Sequence, residues 1–292
     1  MDLMKSYDAA LQQILETGVK RTNKRTGIQT LSVFGMCNRY RLDTEFFPIL
    51  TRRRVWPKAV FAELLWFLSG STSNEDLKKL GCDFWTPWVD HEWEKKNGFS
   101  EGTFGPVYGF QLRHFGGYYG NGIGGRTGST DSDLGIESFD QAGNHMWEED
   151  FVHGAVCSKV LNHKSSVYGA GGLDQLKWVV DRIKEDHSCR RTLWTLWNPQ
   201  DVAKMRLPPC HMLYQVLVDD ERRLTGILYQ RSCDFPIGVP ANIQFYSALT
   251  SMIAQQADCI PHEFVHMTAD SHIYQNQIQS VEEYLSLPEV DS

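Results

Sequence analysis

The chain lacks several features that mark common protein classes. No run reaches the roughly 20 apolar residues a membrane-spanning helix needs. The opening MDLMKSYDAALQQ reads as a polar amphipathic helix, not as a signal peptide. There is no basic excess either: 29 lysines and arginines face 36 aspartates and glutamates, for a formal net charge of −7. A sequence-independent grip on nucleic acid rests on neutralising phosphates, so no nucleic acid partner is expected. The seven cysteines, at 37, 82, 157, 189, 210, 233 and 259, include no CxxC pair and no zinc-type spacing. This odd, scattered set reads as reduced thiols in a cytoplasmic protein without membrane or metal. Internal repeats and linkers are also missing.

What is present is a 292-residue chain, 41% hydrophobic and 12% aromatic, enough to bury a sizeable core. Tyr7, Leu11, Ile14 and Leu15 share one helical face that Gly18 ends. Thr30–Leu42 partly alternates as a strand does, with Gly35 as a candidate bulge. WPKAVFAELLWFLSG starts with Pro57 in a first turn, closes at Gly70, and is apolar nearly all round, which predicts a buried central helix. Residues 117–172 are rich in Gly, Ser, Asp and Asn and read as a surface insertion. A helix over LDQLKWVVDRIKED follows, with Leu173, Leu176, Val180 and Ile183 on it. Strand-like runs come next: RTLWTLW, HMLYQVLV, RLTGILYQR and EFVHMT. The helical stretches NIQFYSALTSMIAQQ and HIYQNQIQSVEEYL interleave with the last of them. The expected architecture is α+β, a twisted, mostly antiparallel sheet packed against helices in a single domain over 1–292.

In RLPPCHMLYQ, Pro208 and Pro209 fix the backbone as it enters a strand, and a reactive thiol at Cys210 needs such fixing. A thiolate also needs positive surroundings. Arg25, Arg190, Arg191 and Arg231 are candidates, and together they would bind a phosphate through charge-assisted forks. His211 is adjacent to Cys210, but neighbours on a strand point to opposite faces, which works against a nucleophile–base pair. A hydrolase dyad with His272 or His266 stays open. Asn242, after Pro240, reads either as a helix cap or as an amide whose donor and acceptor suit a uracil edge. Glu63, inside an apolar helix, reads as a buried acid suited to proton transfer. Trp85, Trp88 and Tyr108 read as core or as walls for an aromatic ligand. Asp270, His272 and Tyr274 face one way if extended, as a hydroxyl-binding edge.

The segments KRTG, AELLWFL, GPVYGFQLR, RR…WNP, LPPCH, LYQRSCD…GVPANI and DSHIY occur in an order that resembles the thymidylate synthase family, which includes the phage pyrimidine-nucleotide hydroxymethylases. The resemblance covers most of the chain outside 117–172. It implies an obligate homodimer and a folate-dependent transfer to C5 of dUMP, with 5,10-methylenetetrahydrofolate as co-substrate and no metal. It implies that Cys210 adds to C6 of the pyrimidine, which makes C5 nucleophilic. It implies a phosphate and nucleotide shell of Arg25, Gln230, Arg231 and Ser232, with Arg190 and Arg191 reaching in from the partner. Asn242 would hold the uracil edge, and His272 and Tyr274 the sugar hydroxyl. Glu63, Tyr108 and His211 would handle protons. Trp85, Trp88, Asp234, Ile237, Gly238 and Ala241 would line the folate site, with Asp234 also near the nucleotide.

The chain departs from the family pattern where the product is decided. Family members usually carry a phenylalanine before the asparagine, and here it is Ala241. Leu112 stands in the family's QWR, Phe235-Pro236 in its loop, Ala269 in its GDxH, and Gln277 where a histidine often follows. The chain ends at SLPEVDS, where the family continues into an apolar tail over the folate. A wider, wetter pocket predicts that water, not hydride, quenches the methylene on C5, so that the product is 5-hydroxymethyl-dUMP. The alternatives are reductive methylation to dTMP and a nucleotide-binding protein without turnover.

Overall fold

The computed structural model describes residues 3–24, 26–43, 46–119, 169–170 and 172–288. The chain divides into two compact units, Met1–Leu64 with Lys177–Thr195 and Pro209–Ser292, and Leu65–Leu176 with Leu196–Pro208. Among the described residues no helix is long and apolar enough to cross a membrane.

The first unit is built on a seven-stranded sheet. Its strands are β1 (Val19–Thr22), β2 (Gln29–Arg41), β3 (Leu193–Thr195), β4 (His211–Val218), β5 (Arg223–Gln230), β6 (Cys233–Asp234) and β7 (Ile260–Tyr274). They lie in the order β1-β2-β7-β5-β4-β3, with β6 also on β7. Four pairings are antiparallel; β5 and β6 each run parallel to β7. Helix α1 (Leu3–Thr17) buries Tyr7, Leu11 and Ile14, and Tyr7 stacks on Phe235 with ring centroids 5.5 Å apart. Gly18 closes the helix as expected, because a Cβ there would fall 2.3 Å from the carbonyl oxygen of Ile14. The expected bulge at Gly35 does not form. Phe34 pairs with Asp270 and Met36 with Thr268 without a register shift, although Gly35 takes φ 75°. That conformation suits a glycine and needs no extra residue in the ladder.

Helix α2 (Pro57–Leu68) starts at Pro57 and is followed by Gly70 at φ 76°. It is not covered all round. Phe61 and Leu65, one turn apart, are 39% and 50% exposed, while Val60, Leu64, Trp66 and Phe67 are buried. Glu63 is half-buried, not sealed in the core.

The second unit carries α3 (Asn74–Lys79), α4 (His91–Asn97) and α5 (Tyr108–Arg113). Its core is aromatic: Trp85 lies 5.4 Å from Trp66 and 5.1 Å from Phe104, and Tyr108 stacks on Phe67 at 4.6 Å. Tyr118 and Tyr119 pair with Ala170 and Gly169, so the ends of the glycine-rich insertion meet. Its residues 120–168 and 171 lie outside the described residues.

Helix α6 (Gln175–Glu185) buries Val179 and Ile183. Helix α7 (Val239–Gln256) packs along the sheet, and α8 (Ile278–Ser286) follows β7. The stretch from His272 is thus only helical from its middle. Residues His272–Tyr274 stay in β7, held by pairing to β2 through Thr30 and Tyr274.

Candidate functional site

Cys210 stands just before β4, half-exposed, at the end of the Pro208-Pro209 turn. The backbone around it is held from β5. The amide of Arg231 donates to the Cys210 carbonyl at 2.9 Å, and Arg231 Nε donates to the Pro209 carbonyl at 2.8 Å. A guanidinium only donates, so the Pro209 carbonyl is the backbone group it can use there. Arg231 is thereby brought beside the thiol-bearing turn. Arg190 and Arg191 are exposed ahead of β3, and the Arg190 carbonyl accepts from Gln215 Nε2 at 2.9 Å. Arg25 lies outside the described residues.

His211 turns toward α7 and meets Tyr246 edge-on at 5.1 Å. Although the residue is half-exposed, its Nδ1 is shielded from solvent, and burial pulls its pKa down to about 4. A hydrogen bond to Asn242 works against that fall. Asn242 is not the helix cap. Gly238 precedes the helix, and Asn242 sits in its first turn with its amide bonded to the Gly238 carbonyl at 3.0 Å. Its Nδ2 donates to Gln230 Oε1 at 3.2 Å. The same oxygen lies 2.8 Å from Nε2 of the buried His266. His272 Nδ1 is 3.4 Å from Asp270 Oδ1. Both histidines considered as hydrolase bases are thus engaged with other partners.

Asp270 also meets Arg21 at 2.5 Å. Partial burial opposes its ionisation, but His272 and Arg21 outweigh that and hold its carboxyl below the usual range. The His272 and Tyr274 rings meet at 5.1 Å, on alternate residues of one strand, as the polar edge required. Asp234 accepts from the Ile237 amide at 3.3 Å and from Gln277 Nε2 at 2.9 Å. Burial pushes its carboxyl up despite these bonds. Gln277 Oε1 in turn accepts from the Tyr274 amide at 2.9 Å. Gln277 thus ties the Asp234 carboxylate to the Tyr274 backbone, a role its sequence position hid. Ser232 and Ala241 are half-exposed, and Ile237 is 54% exposed beside Gly238.

In the second unit Trp85 and Tyr108 are buried in the aromatic core, and Trp88 is half-buried at the end of a 3₁₀ turn. No group of three or more potential metal ligands occurs among the described residues.

A family profile described as thymidylate synthase matches residues 5–290. The chain is 38% identical over 283 residues to the thymidylate synthase of Herpesvirus ateles, covering 96% of this chain and 82% of that protein. It is 39% identical over 276 residues to the thymidylate synthase of Homo sapiens, covering 94% and 74%. Against the bifunctional dihydrofolate reductase-thymidylate synthase of Zea mays it is 37% identical over 282 residues. That match spans 96% of this chain and 46% of the maize protein.

Proposed function

Since the chain belongs to the thymidylate synthase family, we propose that it methylates dUMP reductively to dTMP, with 5,10-methylenetetrahydrofolate as co-substrate. The observation that carries this reading is the likeness, over 94–96% of this chain, to proteins named thymidylate synthase in herpesviruses and in Homo sapiens. The preference for hydroxymethylation drawn from Ala241 finds no support among those relatives. One small residue beside Asn242 is its remaining argument, since a missing aromatic wall admits water.

In this reading Cys210 Sγ adds to C6 of the uracil, and the electron pair moves to C5. Arg231 and Ser232 hold the phosphate, a role the family resemblance also gives Arg25. Asn242 meets N3–H and O4 of the base. His272 and Tyr274 hold the sugar hydroxyl, and Gln230 orders the amide network beneath. His211, neutral through burial, and Glu63 handle protons.

The folate, when bound, supplies the one-carbon unit and the hydride. The residues present fit it: Asp234 offers a carboxylate that suits pterin N–H donors, and exposed Ile237 beside Gly238 offers an apolar wall. The roles of Trp85, Trp88 and Tyr108 rest on the family resemblance alone.

A homodimer is part of the proposal. Tyr229, Met267 and Cys37 lie in one row across β5, β7 and β2 on an exposed sheet face, with Phe34 and Leu193 also exposed. An uncovered apolar face of this kind suits a second copy, which would receive Arg190 and Arg191 in its site.

Incubation with dUMP and methylenetetrahydrofolate tests the reading. The expected outcome is dTMP by mass spectrometry, with dihydrofolate absorbance rising in step. A hydroxymethyl product without dihydrofolate would replace it.

A further inference from the structure

The parallel pairing of β5 with β7 sets Leu228 opposite His266 and Gln230 opposite Thr268. His266 and Gln230 are therefore diagonal neighbours two residues apart along the sheet, within reach of long side chains. By sequence alone His266 is a candidate only as a hydrolase base. Its bond to Gln230 suggests another use.

The polarity of the Gln230 amide is set by the backbone. Its Nε2 donates to the Ser232 carbonyl at 3.1 Å, and a carbonyl can only accept. Oε1 must then be the atom 2.8 Å from His266 Nε2, so His266 donates. Asn242 Nδ2 donates to the same oxygen at 3.2 Å. With Nδ2 turned to Gln230 and the side chain also bonded to His211, Asn242 keeps a second N–H and the remaining lone pair of Oδ1 for other partners.

His266 is fully buried at 0% exposure, and burial, then the neighbouring His211, pulls its pKa down to about 3. A neutral imidazole carries one N–H. With that proton on Nε2, the buried Nδ1, which has no hydrogen-bond partner among the described residues, is a bare lone pair. The other tautomer would bury an orphan N–H and set two acceptors against each other, the costlier arrangement.

We propose that His266 is a specificity-determining positioning residue: as the Nε2–H tautomer it fixes Gln230, and through it the edge of Asn242 that tells uracil from cytosine. The inference rests on the proposed role of Asn242 as the base reader.

Two measurements test it. In protein labelled with ¹⁵N-histidine, NMR should show His266 as a neutral Nε2–H tautomer; an Nδ1–H tautomer or an imidazolium would overturn the inference whatever the substrate. Steady-state kinetics with dUMP and dCMP give the second. His266→Phe, which has no donor, should lower the dUMP-to-dCMP preference about tenfold, chiefly through KM for dUMP. His266→Gln, which keeps an N–H, should restore most of it. An equal loss for both nucleotides, with the ratio unchanged, would mark a merely structural residue and overturn the inference alone. Failure of the wild-type protein to bind either nucleotide would overturn the proposed function and this inference together, and the NMR result would still stand by itself.

Discussion

Helix α7 lies on the sheet with two polar clusters along its length, and they differ in what they leave unused. Near its middle, Tyr214 Oη lies 2.5 Å from Thr250 Oγ1, and Thr250 Oγ1 donates to the Tyr246 carbonyl at 2.5 Å. Both side chains are buried, and each proton has a definite acceptor. Gly226 makes the room, since a Cβ there would sit 1.9 Å from Tyr214 Oη. Near its start, Asn242, Gln230, His211 and His266 form a second network, but Asn242 is half-exposed and retains donor and acceptor capacity. A closed network with no spare capacity fixes structure. An equally ordered network that faces solvent with capacity to spare is where a ligand can be read.

That contrast is broken most directly beside the open cluster. Cys210→Ser should lower turnover by about a thousandfold or more while leaving the melting temperature within about a degree, because the thiol acts in chemistry and not in packing. Parallel kinetics and thermal melts check it; a comparable loss of stability would make Cys210 a core residue. The closed cluster should behave in the opposite way. Gly226→Ala forces the Tyr214 ring off its place and should cost about 3 kcal/mol in urea unfolding, with KM for dUMP little changed in the folded fraction.

Asn242→Asp sharpens the comparison at the open end. A carboxylate cannot donate to O4, and once protonated it can donate to N3 of cytosine. The preference for dUMP over dCMP should fall on the order of 100-fold, with urea stability changed by about 1 kcal/mol at most. Unchanged selectivity in competition kinetics would remove Asn242 from base recognition.

How much of this was legible in the sequence depends on how local the cause is. The turn at Cys210 and the ends of α1 and α2 were legible, because prolines and glycines impose their limits on their own backbone. The parallel pairing of β5 and β7 was not. An alternating pattern gives the face of a strand but not its partner. So His266, 36 residues from Gln230, could be read as a free base although it is bonded inside the sheet. The Gln277 link between Asp234 and Tyr274 was hidden likewise, since 43 residues separate Gln277 from Asp234. Residues 272–274 looked helical by composition, yet the long partner β2 holds them extended. Phe61 and Leu65 looked like core because hydropathy does not report which helix face remains uncovered.

The smallest effect separates the two clusters by pH. His211 and His266 have folded pKa values drawn down by burial to about 4 and about 3, from an ordinary value near 6.5. The unfolded chain therefore binds more protons below about pH 6.5. The stability the pair contributes is complete above that pH and is lost progressively as pH falls toward 4, at up to about 1.4 kcal/mol per unit for each ring. At the closed cluster, burial raises the Tyr214 hydroxyl pKa well above its ordinary value. The unfolded chain then releases that proton first, so stability falls as pH rises beyond about 10. Urea unfolding across pH should show both limbs. His266→Gln should flatten the acid limb between about pH 6.5 and 5 by roughly half and leave the alkaline limb alone. Tyr214→Phe should flatten only part of the alkaline limb, because burial also raises Tyr7 and Tyr40. An acid limb untouched by His266→Gln would mean that this imidazole is already charged in the folded protein, and the open network would then need a different proton inventory.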